Sequence, residues 1–430
     1  MITFRRFWPN IKNISRTLSS SSLLGKGLLG QGLITLGLFL LPGSPWAAAV
    51  SVPILNSLQF SRSEVAPGSA FRMHYEWLAQ PTDKPTTIFV HFRNSKDIVF
   101  QDDHGPNWPL STTNWTGTVA YSRRVFVPAD TAEGTYEIRV GIYDPVTNNK
   151  YPLGTGAAIR SLDDHSLVVG TVLVSRRAPL EIPDEGKATT LDFTKMKETF
   201  RDDFNEIDVS SRGPFTRWTA HTPNYADFGE AIFTDPRPGF PFSVKDGILS
   251  IIAKKFNPRW RSGILSSVGP GGNGFSQQFG YFELRAKLPE GEGTWPAFWL
   301  LPVETLEDPA KPGVEIDIFE QYGRDPQGLH FTMHLRRPGE PTHTAAYSVG
   351  VRDTNREFHT YGFYWDRRIM IWFFDGREMW QIATPPEACT PMYILINLAM
   401  GSGWPISPKM HTVTLEVDYV KVYSISDSRQ

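Results

Sequence analysis

The chain has 430 residues and a formal net charge of −2, with 43 Lys plus Arg against 45 Asp plus Glu. That balance excludes the basic footprint of a nucleic-acid partner and offers nothing to an anionic membrane surface. There is no glycine loop for a nucleotide and no Cys/His cluster at metal spacing, and the length asks for two domains.

The N-terminus predicts an export signal over residues 1–49. Arg5, Arg6, Lys12, Arg16 and Lys26 form a basic region, and an apolar stretch runs from Leu28 to Leu41. Pro42-Gly43 breaks it, and Ala47-Ala48-Ala49 supplies small residues for cleavage after Ala49. An uncleaved anchor is the alternative, although the apolar run is short against the roughly 20 residues of a span. Either way the expected location is extracellular or periplasmic. Cys389 is the single cysteine, so no intrachain disulfide forms. An exported chain of this size without disulfides fits a bacterial source. Cys389 reads as a small core residue rather than a nucleophile.

Residues 50–175 predict a β-sandwich. Phe71–Leu78, Thr87–Arg93, Tyr136–Asp144 and Ser166–Val174 alternate in strand fashion, with turn residues at Pro67-Gly68 and Asn148-Asn149. His74, His91 and Asp102-Asp103-His104 read as ordinary polar positions of that sandwich rather than as a metal site. Residues 176–195 carry Pro, Gly and charge without periodicity and read as a linker. Residues 196–430 are again all-β. The aromatic content, 13 Trp, 14 Tyr and 28 Phe, with 36 Gly and 34 Pro, suits such a fold.

Gly313-Val314-Glu315-Ile316-Asp317-Ile318-Phe319-Glu320 carries the chemistry. Val314, Ile316, Ile318 and Phe319 are strand formers, yet three carboxylates stand among them. Closely set carboxylates repel, and that repulsion separates an acid from a base. Glu315 and Asp317 share a strand face, whereas Glu320, five residues from Glu315, points the other way. A β-bulge near Ile318-Phe319 restores it to the same side. A straight strand would hold the two glutamates about 16 Å apart along the chain. A retaining glycosidase needs its carboxyl groups about 5–5.5 Å apart, so the strand must curve and the side chains converge.

With that strand the chain resembles glycoside hydrolase family 16, in the branch that carries the longer Glu-x-Asp-x-x-Glu. Phe200–Asn205, Val244–Ile251 and Phe279–Ala286 add to the likeness, as do Gly293–Leu301, Leu329–His334 and Phe358–Trp365. Asp375–Arg377, Leu395–Pro405 and Val417–Tyr423 complete it. It spans roughly residues 195–424 and leaves out the N-terminal sandwich. The resemblance implies a jelly-roll sandwich of the concanavalin-A type, and a retaining endo-β-glycosidase acting on a β-glucan with β-1,3 linkages. The longer motif favours the laminarinase-like members over the lichenase-like ones.

The resemblance also implies the roles. Glu315 is the nucleophile, Glu320 the acid/base, and Asp317 orients the nucleophile and shares a proton. Trp295, Trp299 and Trp404 are expected to line a sugar groove, since indoles stack on the apolar faces of sugar rings. His330 and His334, at equal parity just after the triad, are expected beside the carboxylates. Asn397 and Tyr322 are weighed as contacts to sugar hydroxyls. Trp365, Trp372 and Trp380 are expected to pack the sandwich or to lie on its outer surface. The chemistry needs no cofactor, although a structural calcium at Asp418 and the Gly247 carbonyl is considered. The expected partner is a polysaccharide, with neither nucleic acid nor nucleotide, and the sequence is silent on oligomeric state. Three alternatives stay open: a self-made exopolysaccharide or other anionic polymer, for which Arg261, Arg285, Arg324, Arg336 and Arg337 leave room; a transglycosylase; and a lectin-like binder.

Overall fold

Ala70–Ala79 shows how this sequence makes sheets. Phe71, Met73, Tyr75 and Trp77 are buried while Arg72, His74 and Glu76 alternate with them at the surface, the period of two that a half-buried strand requires. In a computed structural model of the chain, residues 52–105, 112–155, 159–340 and 342–425 are described. The expected export signal over 1–49 lies outside the described residues. Strands dominate throughout, and no helix among the described residues is long and apolar enough to cross a membrane.

Residues 54–174 form two facing sheets. One is ordered Gly117–Phe126, Ala70–Ala79, Ile54–Phe60, Gly154–Thr155; the other Arg160–Ser161, Leu167–Val174, Gly134–Tyr143, Thr87–Arg93, Ile98–Gln101. Their shared core holds Phe71, Tyr75, Trp77, Phe92, Trp115 and Ile138. Several polar residues of this unit pair within it. His104 Nδ1 donates to the Asp102 carbonyl at 2.8 Å and its Nε2 accepts from Tyr121 at 3.0 Å. Arg123 grips Asp102 with two bonds of 2.8 Å. His74 bonds Ser122, and His91 stands 3.4 Å from Asp103.

Residues 176–195 connect this sandwich to the next, and they are packed rather than loose. Ala178 and Glu181 are buried, Asp184 accepts from the Gly350 amide at 2.7 Å, and Lys187–Ala188 pairs with Arg377–Ala383 as an edge strand.

The second sandwich has a back sheet running from Lys187–Ala188 through Arg377–Ala383, Ile369–Phe374, His359–Trp365, Gly280–Lys287, Thr412–Ser424 and Ile248–Phe256 to Arg259–Ser262 and Ala231–Phe233. Its front sheet is ordered Val209–Ser210, Trp218–Thr219, Ile264–Ser266, Met392–Met400, Thr294–Pro302, Gly313–Glu320, Gly328–Arg336, His343–Gly350. Between them lies the main core, with Phe282, Leu284, Phe298, Ile316, Phe331, Met333, Trp365, Trp372 and Ile396. Each large apolar side chain buried there contributes about 2 kcal/mol relative to exposure. Trp365 and Trp372 are in the core and Trp380 packs on it, as their sequence context predicts. Cys389 packs at its margin, where burial pushes its thiol upward.

The front sheet is apolar on its other face too. Trp295, Ala297, Trp299, Tyr393 and Leu395 form a second cluster there, with Phe228 laid against it. Consequently Met392–Met400 is buried at every position. Residues 52–430 make one compact unit, in which the Gly117–Phe126 edge of the first sandwich lies beside the His343–Gly350 edge of the second.

Candidate active site

The bulge expected from parity is present. On one side of the Gly313–Glu320 strand, Ala297 faces Glu320 and Phe298 faces Phe319, but Trp299 faces Asp317, so Ile318 is the extra residue. On the other side Glu315 faces His334, Asp317 faces Thr332 and Glu320 faces His330, with the same slip. Ile318 and Phe319 therefore both enter the core, and Glu320 returns to the face of Glu315 and Asp317. Beneath the bulge, Trp372 of the back sheet donates its Nε1–H to the Asp317 carbonyl at 2.9 Å and pins the strand.

All three carboxylates are buried. Arg336 Nη2 donates to Glu315 Oε2 at 2.9 Å. His334 Nε2 stands 3.9 Å from Glu315 Oε1 and 3.6 Å from Asp317 Oδ2. Its Nδ1 is held by Thr344 Oγ1 at 2.8 Å, which fixes the ring's orientation. Glu315 thus faces a permanent cation. Tyr393 lies close by, and burial first, then the charge of Glu315, pushes its phenol upward.

Glu320 sits in different company. Its Oε1 accepts the Trp295 Nε1–H at 2.9 Å, and Ala297 opposite it contributes only a methyl group. His330 Nδ1 bonds Ser348 Oγ at 2.8 Å, and its ring lies 4.8 Å from that of Tyr322. Burial pushes His330 down to about 4, so it is neutral at pH 7. Tyr322 in turn stands 6.2 Å from Trp295.

The structure brings Glu315, Asp317, Glu320, Trp295, Trp299, His330, His334 and Tyr322 to one sheet face. One expected residue is placed differently. Asn397 is fully buried and its Oδ1 accepts the Trp299 Nε1–H at 2.7 Å, so it positions the indole rather than offering that oxygen to a sugar. Trp404 lies on the loop after Met392–Met400, and the Arg324 guanidinium covers one of its faces at 3.7 Å. The arginines do not gather into an anion cradle. Arg285 pairs with Asp418, Arg336 with Glu315 and Arg337 with Glu387, while Arg261 lies over Phe256.

Glu315, Asp317 and His334 are the one group among the described residues with enough ligand atoms close together, within 4.8 Å, to share a cation. Arg336 already supplies positive charge there. Calcium at Asp418 would first have to displace the Arg285 guanidinium from the carboxylate, so that residue does not fit the ion as placed. Gly247 occupies the left-handed turn between Phe242–Lys245 and Ile248–Phe256, at φ 74°.

Sequence reasoning missed Arg336 as a site residue, although it lies two positions beyond His334 and so shares its parity. Thr344 and Ser348, which orient the two histidines, and Phe228, edge-on to Trp295 and Trp299 at 5.7 Å each, carry no local signal.

Comparison with known proteins agrees with this geometry. Residues 243–421 match the model of Glycosyl hydrolases family 16. The chain is 33% identical over 258 residues to the endo-1,3-1,4-beta-glycanase EglC of Rhizobium meliloti, covering 55% of this chain and 53% of that protein. It is 29% identical over 307 residues to the endo-1,3-1,4-beta-glycanase ExsH of the same organism, covering 66% of this chain and 62% of that one. The chain therefore spans between half and two thirds of the length of these relatives. Among solved structures, LamAcat from Zobellia galactanivorans is similar at 25% identity and a TM-score of 0.46, over 54% of this chain and 99% of that one. Through residues 243–421, this chain is similar to glycosyl hydrolases family 16.

Proposed function

We propose that the chain is an exported retaining endo-β-glycosidase that hydrolyses internal linkages of a β-glucan, with β-1,3 bonds the first candidates. The observation that carries the reading is the bulge at Ile318, which sets Glu315, Asp317 and Glu320 on one face. The names of the two Rhizobium relatives, endo-1,3-1,4-beta-glycanases, support a β-linked glycan with 1,3 bonds. The name of the beta-glucanase of Rhodothermus marinus, 33% identical over 166 residues, supports glucan, and the basic-then-apolar N-terminal segment supports export.

In this reading the ionised Glu315 attacks the anomeric carbon while Glu320 gives its proton to the departing glycosidic oxygen. The glycosyl–Glu315 ester then forms and the aglycone leaves. Water next attacks the same carbon, Glu320 takes its proton, and Glu315 is released as a carboxylate. Arg336 and His334 steady the charge returning to Glu315, and Asp317 shares the His334 ring. The indoles of Trp295 and Trp299 offer the apolar surface on which sugar rings stack.

Glu315→Gln in the full chain is expected to abolish release of reducing ends from laminarin or mixed-linkage glucan while oligosaccharide binding persists by calorimetry. Undiminished cleavage by that variant would overturn the assignment. The anomer first seen by NMR tests retention.

A further inference from the structure

Arg124 belongs to the first sandwich, on the Gly117–Phe126 strand, but its partners lie elsewhere. Nε and Nη2 donate to Glu181 at 2.7–2.9 Å, and Nη1 and Nη2 both donate to Asp325, the latter at 3.1 Å. The side chain is 1% exposed. One guanidinium thus holds two carboxylates in two forks, a geometry that lysine cannot reproduce.

The second sandwich is shaped to receive it. Gly328 and Gly350 face each other across neighbouring strands. A Cβ on Gly328 would lie 2.3 Å from Asp325 Oδ2 and 2.6 Å from Arg124 Nη1, and one on Gly350 would lie 2.9 Å from Glu181 Cδ. Neither glycine has a left-handed φ, so these positions need glycine for space and not for backbone freedom.

What Arg124 holds is the turn that follows Glu320. The Asp325 amide donates to the Tyr322 carbonyl at 2.7 Å, and the Gly328 amide to the Asp325 carbonyl at 3.0 Å. The residue before Asp325 is Arg324, whose guanidinium lies 3.7 Å from the Trp404 ring and 5.3 Å from Phe126, two positions along from Arg124. Tyr322, at the start of the turn, packs toward His330 and Trp295, the donor to Glu320.

We propose that Arg124 is a positioning residue for the active site: through it the N-terminal sandwich fixes the 321–327 turn, and with that turn the Arg324–Trp404 stack and Tyr322 beside Glu320. The consequence for catalysis rests on the glucanase reading above; the consequence for the turn does not. The N-terminal sandwich is then a buttress for the turn beside the site rather than a tethered module.

Hydrogen exchange read by mass spectrometry on full-length Arg124→Met tests it. Peptides over 321–328 and 401–405 should exchange about tenfold faster, with 313–318 unchanged. The ratio of kcat/KM for a long β-glucan to that for an aryl trisaccharide should fall about fivefold, since a displaced Trp404 is felt by distal sugar rings. A residue that only stabilises the fold would raise exchange everywhere and lower both substrates together, and that result, or unchanged exchange, overturns the proposal. Asp325→Asn, which keeps the shape but sets an amide NH2 where the Arg124 guanidinium needs an acceptor, gives the same readout should Arg124→Met fail to fold. A wild-type chain that cleaves no glucan sinks the glucanase reading, while the exchange pattern still decides the role of Arg124.

Discussion

The two sandwiches of this chain are made of the same material and use it differently. In the first, half-buried Arg123 and Asp102 answer each other, and buried His104 is met by Tyr121 and the Asp102 carbonyl. In the second, Glu315, Asp317 and Glu320 are all buried and crowd onto one sheet face, carboxylate beside carboxylate. Polar groups paired inside a core satisfy the fold, whereas like charges set together cost stability and are kept where they do chemistry.

That contrast can be tested at graded strength. The largest effect is expected at Glu320→Gln, which removes the proton donor. In steady-state kinetics kcat should fall by about 10²–10⁴ with little change in the melting temperature. The corresponding change in the first sandwich should do the reverse, altering stability and not turnover.

Trp299→Phe is intermediate. It keeps an aromatic ring but leaves the buried Asn397 Oδ1 without its 2.7 Å donor. We expect a loss of about 1–3 kcal/mol in urea unfolding and a higher KM, with kcat less affected.

The smallest effect, confined to stability, is expected at His104→Phe. Burial pushes His104 down from 6.5 to about 3. Its folded value lies below the unfolded one, so the unfolded chain takes up the proton first as pH falls. The stability that the neutral His104 ring contributes is therefore full above about pH 6.5 and declines toward about pH 3. The variant lacks that term. It should be less stable than wild type at pH 7, and the gap should narrow between pH 6.5 and 4, with kcat unchanged. A constant gap across that range would mean that the ring is not held neutral.

Much of the site was readable from spacing. The five-residue step from Glu315 to Glu320, with bulky Ile318-Phe319 inside it, demanded a bulge because both apolar side chains needed the core. Equal parity put His330 and His334 on one face, and the same rule would have delivered Arg336. Thr344, Ser348 and Phe228 were not readable, since they reach the site by strand pairing and loop packing between residues far apart in sequence. Asn397 looked like a sugar contact because its neighbourhood is rich in site residues. Only the register of Ala297 with Asn397 shows that it lies next to Trp299 and gives its Oδ1 to that indole.

By itself the sequence determined that the chain is all-β, where its apolar faces lie, and which strand carries the carboxylates, because alternation and parity are local properties of an extended backbone. Tertiary structure alone decided which carboxylate meets a guanidinium and which an indole, and that Arg124 of one sandwich closes on Asp325 of the other. Those pairings depend on which strands become neighbours, and local pattern does not encode long-range register.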